Sequence, residues 1–415
     1  MEPNLYLILI LSFITLSFLL DFAANWLNLK ALTPYLPQEL SDLYDKKTYF
    51  KSQQYLKENT KLDLFKTGLS TILTILFIIT GGFNFIDKLA RSFAFNEIAT
   101  GIIFISLLIL IKLIFDLPFS IYETFIIESK YGFNKTTPKI FITDIIKGLL
   151  LAAALGLPLI AAILWFFETV GPKAWIYCWI GVTLYMIVIQ FLAPALIMPL
   201  FNKFSPLPDG ELKEQILEYA NKENFRVKGV FTMDGSKRSS KLNAFFAGFG
   251  RFRRIVLFDT LIEKLKTNEI VAVLAHEMGH FKLKHIQKMM ALSITQTGLM
   301  FFLLSLFLGN QALSKAFGME QPSIYSSLVF FGFLYTPINI LLGIAFNYFS
   351  RQWEFEADAY AAKDSKLAVS LISALKKLSA ENLSNLTPHK LYVVLYYSHP
   401  PILARIQALK RFIHH

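Results

Sequence analysis

The chain has 415 residues, of which 54% are hydrophobic, 40 are Phe and only 17% are charged, whereas an ordinary soluble domain carries about 25% charged residues. That balance excludes a simple soluble domain and points to a chain that lives in lipid. The net charge of +11 does not point to nucleic acid, because no RNA-binding motif or basic-aromatic repeat accompanies it. On a membrane chain it reflects basic cytoplasmic loops. The single cysteine, Cys178, excludes internal disulfides and a thiolate metal cluster.

Seven segments are long and apolar enough to span a bilayer, which takes roughly 20 residues per helix. They lie near residues 4–22, 67–86, 100–118, 148–167, 175–200, 288–308 and 325–349. The first lacks a basic start and a small-residue cleavage site, and Asp21 to Trp26 continue its helical pattern. It is expected to stay as an anchor. Lys112 and Asp116 sit four apart in or near the third span. Charges at that depth are costly unless they face protein or water, so they form a mutual pair or line a polar interior.

Loop charge sets the orientation. The N-terminus and residues 87–99, 168–174 and 309–324 together hold only Lys88, Arg91, Lys173 and Lys315. The opposite set holds nearly all the remaining Lys and Arg, so the N-terminus is expected outside and the polar blocks in the cytoplasm. The chain divides into residues 1–200 (five spans and loops), 201–287 (a polar block), 288–349 (a helical hairpin) and 350–415 (a second polar block).

Within the first block, Phe225–Met233 and Arg254–Asp259 read as strands around the turn signal Asp234-Gly235-Ser236. Leu242–Phe249 reads as a third, ended by glycines. Thr267 is the expected N-cap of a following helix. The second block reads as helical over 350–380, with a capping candidate near Ser384 and a last helical stretch after Pro401. The fold class is thus α-helical integral membrane, with a small α+β module at the cytoplasmic side.

The helix after Thr267 carries His276-Glu277-Met278-Gly279-His280, the pattern H-E-x-x-H. Residues four apart share one helical face, so His276 and His280 can bind one Zn2+, and Glu277 can take a proton from water. A catalytic zinc site has three protein ligands. The antiparallel sixth and seventh spans bring Glu354 back to the two histidines, and Asp358, one turn on, suits a hydrogen bond to a ligand imidazole. Glu356 is the competing ligand on another helical face. His285 is expected at the surface of the same helix, and His389, His414 and His415 show no partner pattern.

H-E-x-x-H followed across a hairpin by Glu354-x-x-x-Asp358 resembles the integral-membrane zinc metallopeptidases of the CAAX prenyl protease type. Glu128 to Thr137 (E-S-K-Y-G-F-N-K-T-T), Pro199 to Pro206 (P-L-F-N-K-F-S-P), Asn243-Ala244-Phe245, Arg254 to Leu261, and Ser398-His399-Pro400-Pro401 with Arg405 are similar to the family's other blocks. The resemblance covers about residues 120 to 406. It implies a barrel of seven long helices around a water-filled chamber, which would account for Lys112 and Asp116. It also implies one zinc ion held by His276, His280 and Glu354, with Glu277 as general base and His399 as a donor to the tetrahedral intermediate. Asn243, Ala244 and Arg405 are the candidate substrate-binding residues, with the stretch at Asn243 and Ala244 an edge for strand addition.

The implied partners are a peptide, or a prenylated C-terminal C-a-a-X peptide, and membrane lipid; oligomeric state is left open. The short chain and the absence of a retrieval signal lean towards a bacterial plasma membrane, with the endoplasmic reticulum membrane as the eukaryotic counterpart. Two alternatives stand beside this: a bacterial quality-control metalloprotease with unprenylated substrates, and a non-catalytic transporter or channel with structural zinc. Structural zinc normally fills four protein ligands, and only three are found here.

Overall fold

The computed structural model describes residues 4–37, 41, 45–247 and 253–413. Among these, seven helices are long and apolar enough to cross a membrane: α1 (Leu5–Lys30), α2 (Lys46–Ile79), α3 (Glu97–Tyr131), α4 (Pro138–Thr169), α5 (Gly171–Phe201), α7 (His285–Ser305) and α8 (Ile324–Ala361). Between α5 and α7 lies α6 (Thr267–Lys282). The first, third and eighth are started by side chains that accept a backbone N–H, from Asn4, Asn96 and Ser323, as orphan donors at a helix start require.

The expected span 67–86 is displaced. Helix α2 begins 21 residues earlier, at Lys46, and ends at Ile79. Thr80 and Gly81 break it, with Gly81 at φ 79°, and a short helix Gly82–Arg91 follows. Three spans pass through π-helical turns, at Glu123–Glu128, Ala152–Gly156 and Ala193–Ile197.

The spans enclose space instead of filling it. In the apolar windows of the seven, no more than 17% of residues are buried. Between α1, α2, α3 and α8 lies a cavity of about 670 Å³ whose lining includes Asp21, Lys66, Lys112, Asp116, Thr336 and Asn339. Asp116 accepts from Lys112 at 2.8 Å and forms an ion pair with Lys66 at 3.1 Å. The charges are therefore both mutually paired and turned to a polar interior.

The spans close at one end through an aromatic core. Phe83, Phe317 and Phe330 interlock there, with Phe317 stacked on Phe330 at 3.7 Å. At the other end sits a four-stranded sheet, β1 (Phe204–Pro206), β2 (Gly229–Met233), β3 (Ala244–Ala247) and β4 (Arg254–Phe258), in the order β1-β2-β4-β3. Strands β2 and β4 are parallel, and β3 runs antiparallel to β4 with Ala244 opposite Leu257. Strand β2 is shorter than expected, starting at Gly229. The glycines expected to end the third strand lie outside the described residues.

The sheet packs on α6 through Val230, Ile255 and Leu257 against Ile270 and Leu274. Each fully buried aliphatic side chain there contributes about 1.5–3 kcal/mol. Thr267 is the first residue of α6, not its cap. Lys266 is the cap residue, and its backbone N–H is taken by the Glu269 carboxylate at 2.7 Å. The C-terminal block is broken at Ala362–Asp364 and resumes as α9 (Ser365–Glu381). Ser384 caps no helix; the helix Lys390–Tyr396 is capped by the His389 side chain, which thereby has a partner. The last helix is α10 (Ile402–Lys410).

Gly279 lets α6 lie directly on α8. A Cβ there would stand 3.1 Å from the Ala357 backbone and from Tyr360 Cβ. Gly279→Val is expected to wedge the helices apart and destabilise the protein by about 1–3 kcal/mol, as overpacking does. Thermal unfolding in detergent measures it.

Candidate metal centre

Helix α6 carries His276 and His280 on one face, and α8 brings Glu354 against them. His276 Nε2 and His280 Nε2 are 3.1 Å apart, and Glu354 Oε1 and Oε2 lie 3.2 Å and 3.5 Å from His280 Nε2 and His276 Nε2. Three donor atoms that share a tetrahedral zinc at bonds near 2.0–2.1 Å would be about 3.3 Å apart. Glu354 is 4% exposed, and its Oε2 has no hydrogen-bond partner in this arrangement. Arg405 Nη1 stands 3.3 Å from that oxygen as an ion pair, and a metal ion at the shared point would supply the direct partner that the ion pair does not. These three residues are the group among the described residues whose donor atoms converge as a metal site requires.

The surrounding hydrogen bonds fix which ring nitrogen of each histidine faces this point. His276 Nδ1 donates to Asp358 Oδ1 at 2.8 Å. Asp358 is held in turn by Arg405, whose Nε and Nη2 donate at 2.8 Å and 2.7 Å. Burial disfavours a charge on His276, but its bonds to Asp358 and Glu354 prevail and push its pKa up to about 9. The acceptors around the site thus draw a positive charge into it.

On the other side, His280 Nδ1 lies 3.1 Å from His285 Nδ1, and His285 Nε2 lies 3.0 Å from Glu356. Glu356 accepts from His285 Nε2, so His285 Nδ1 accepts from His280. A metal that displaced the Nε2 proton of His276 would then find both Nε2 lone pairs turned to the centre. His285 is a correction to the sequence reading: it is 3% exposed, not a surface residue, and it opens α7 instead of continuing α6. Lys284, at φ 60°, turns the chain between the two helices. On one continuous helix the five-residue spacing would have put His285 off the His280 face, so the spacing gave no signal. Trp353 stacks on its ring at 5.6 Å. Glu356, the competing ligand, is directed to His285 instead of the centre.

Arg405 and His399 both reach Glu354. Arg405 is buried, with its guanidinium on Asp358 and its Nη1 3.3 Å from Glu354 Oε2. His399 lies opposite, two-thirds exposed, with Nε2 3.3 Å from Glu354 Oε1 and Nδ1 3.0 Å from Ser398 Oγ. Asn243 and Ala244 share one cavity with His276, Glu277, Glu354 and His399.

Strand β3 is the sheet edge, and the segment leading into it is clamped from both sides. Lys241 donates to Glu128 at 3.2 Å and to Tyr55 Oη at 2.9 Å. Asn382 accepts the Leu242 N–H at 2.9 Å. Arg238 makes a two-pronged bond to Asp144 at 2.7 Å and 2.9 Å, and Lys135 and Ser240 bridge the same loops through backbone bonds. The block around Glu128–Thr137 is therefore the strap between the spans and the edge strand. The block at Asn202 and Lys203 does the same for β1, since both donate to Asp234.

Two family descriptions match the chain: "CAAX prenyl protease N-terminal, five membrane helices" over residues 25–203, and "Peptidase family M48" over residues 206–413. The chain is 36% identical to CAAX prenyl protease 1 homolog of Arabidopsis thaliana over 397 residues, covering 93% of each. It is 34% identical to CAAX prenyl protease 1 homolog of Homo sapiens, covering 92% of this chain and 90% of that one. The crystal structure of S. mikatae Ste24p superposes with a TM-score of 0.93 at 33% identity, over 98% of this chain and all of that one. The chain belongs to peptidase family M48, and it is a multi-pass membrane metalloendopeptidase with the chambered helical barrel of that structure.

His285→Ala is expected to free His280 to rotate and to weaken metal affinity by about 10–100-fold, the usual effect of losing a partner of a ligand imidazole. Competition with a chelator of known affinity measures it. An unchanged affinity would make His285 a packing residue.

Proposed function

We propose that the chain is a zinc endopeptidase that cleaves near the C-terminus of prenylated C-a-a-X peptides. The observation that carries the chemistry is the convergence of His276, His280 and Glu354 beside Glu277, at a sheet edge and at the end of a membrane barrel. The substrate class follows from the relatives, which are named CAAX prenyl proteases.

His276, His280 and Glu354 would hold the zinc. Bound there, zinc supplies Lewis acidity, making a water more acidic and a carbonyl more electrophilic. Glu277 takes the proton of the attacking water and passes it to the leaving amine. His399 Nε2 donates a hydrogen bond to the carbonyl oxygen as that oxygen gains charge. Asp358 and Arg405 hold His276 in one tautomer, and His285 with Glu356 holds His280. Asn243 and Ala244 align the extended substrate by offering backbone partners at the free edge of β3. In the proposed orientation the N-terminus is outside and the metal centre faces the cytoplasm, as the excess of Lys and Arg on that set of loops requires.

Five measurements test this. Glu354→Ala should lose the metal by elemental analysis, while Glu277→Ala should keep it and lose about 10²-fold or more in turnover. His399→Ala should lower single-turnover cleavage at saturating peptide, and Asn243→Ala should chiefly raise KM. A cysteine introduced at position 240 should react with an impermeant label only from the cytoplasmic side. A wild-type protein free of zinc, or inert towards peptide, would overturn the proposal.

A further inference from the structure

A cleft of about 690 Å³ opens between α2 and α3, apart from the metal centre and from the chamber. On α2 it is lined by Glu58, Lys61, Leu62 and Phe65, whereas Lys66, Thr67, Ser70, Thr71 and Thr74 line the chamber. At about 3.6 residues per turn the two sets lie on nearly opposite sides of the helix. The cleft therefore opens on the outside of the barrel.

Its walls are apolar. Leu62 and Phe65 form one side, and Phe119, Tyr122 and Ile127 the other, with the Phe65 and Phe119 rings 6.1 Å apart. Pro118 and the π-helical turn Glu123–Glu128 interrupt α3 along this stretch, and both features bend helices. One end is basic. Lys61 and Lys130 stand there with Glu58, which accepts from Lys130 at 2.6 Å. Lys61 is exposed and forms no hydrogen bond among the described residues. Two cations and one carboxylate leave that end with a net positive charge.

The basic end is the one nearer the sheet, because Glu128, beside Lys130, holds Lys241 ahead of β3. From Lys130 to Pro118 the cleft runs roughly 18 Å at about 1.5 Å per residue. Half of a hydrocarbon core of about 30 Å is close to that length. The cleft thus follows one leaflet, with its cations at headgroup level and its rings among the acyl chains.

We propose that this cleft binds one anionic phospholipid of the leaflet on the sheet side. Its phosphate lies between Lys61 and Lys130, and an acyl chain runs along Phe65, Phe119 and Tyr122. Charge selects the lipid: a zwitterionic headgroup would bring its own cation to an end that is already positive, whereas basic pockets between membrane helices attract anionic headgroups. The lysine stems reach up the cleft wall and keep their charge at the surface. The chain would cover Phe65 and Tyr122, which are 65% and 50% exposed. A lipid there also joins α2 to α3 within a turn of Tyr55 and Glu128, the residues that hold Lys241, and so braces the strap to the edge strand.

The test uses the full-length, zinc-loaded protein in phosphatidylcholine nanodiscs containing phosphatidylglycerol with a diazirine on one acyl chain. Crosslinks mapped by peptide mass spectrometry are expected within residues 61–65 and 118–127. Unlabelled phosphatidylglycerol is expected to suppress them about fivefold better than added phosphatidylcholine, and Lys61→Gln to lower labelling about fivefold, the effect of one lysine at a membrane surface. Lys61→Arg keeps the charge and is expected to label as the wild type does. The Lys130–Glu58 pair is intact in both variants, and matching unfolding temperatures show that both fold. Equal suppression by the two lipids, unchanged labelling of Lys61→Gln, or crosslinks confined to other segments overturn the assignment. Suppression by inorganic phosphate alone would make this a free-anion site, and suppression by a farnesylated peptide would make it a substrate groove; either result overturns the phospholipid.

Discussion

A carboxylate buried against two imidazoles is stable only when positive charge balances it, and Glu354 sets that condition for the whole module at the sheet end of the barrel. Its environment is built from five segments: α6 gives His276 and His280, α7 gives His285, α8 gives Glu354 itself with Glu356 and Asp358, α10 gives Arg405, and the loop before α10 gives His399. Each contributes a donor or a charge that would be costly to bury alone. Bringing α6 onto α8 is possible because residue 279 is Gly, so side-chain volume at one position limits the geometry of the metal centre.

The membrane part and the site are mechanically one object. The long α8 passes from the aromatic lock at Phe330 through the chamber wall to Glu354 without interruption. The edge strand is likewise tied to the spans by Lys241 on Glu128 and Tyr55, and by Arg238 on Asp144. Glu128 ends the π-helical turn in α3. Such turns recur at functional positions because the added residue rotates the following side chains. Strand β3 is therefore fixed relative to the barrel as well as to His276, His280 and Glu354.

Much of this was legible in sequence because the signals are local or periodic. Apolar length marks a span wherever the chain must cross lipid, so seven were found, and the hairpin of the last two places Glu354 by topology. Boundaries were less secure. The second span moved because the polar first half of α2 is a helix outside the apolar window, and its end depends on Gly81 in the left-handed region. Thr267 is not the cap because Glu269 caps the backbone of Lys266, and that bond leaves no mark in the residue type at the cap position.

The sequence by itself determined the H-E-x-x-H spacing and the apolar spans, and it put Lys112 and Asp116 four apart, since these depend on spacing along one helix. Only the tertiary structure decided the partners of those residues. His285 reaches His280 because Lys284, in the left-handed region, breaks the helix between them, and Arg405 reaches Asp358 because α10 packs on α8. The cavity that Asn243, Glu277 and His399 share likewise draws on the start of β3, on α6 and on the loop before α10. Segments that far apart in the chain carry no mutual spacing to read. Their contacts exist only once burial has forced every charge near Glu354 to find a partner.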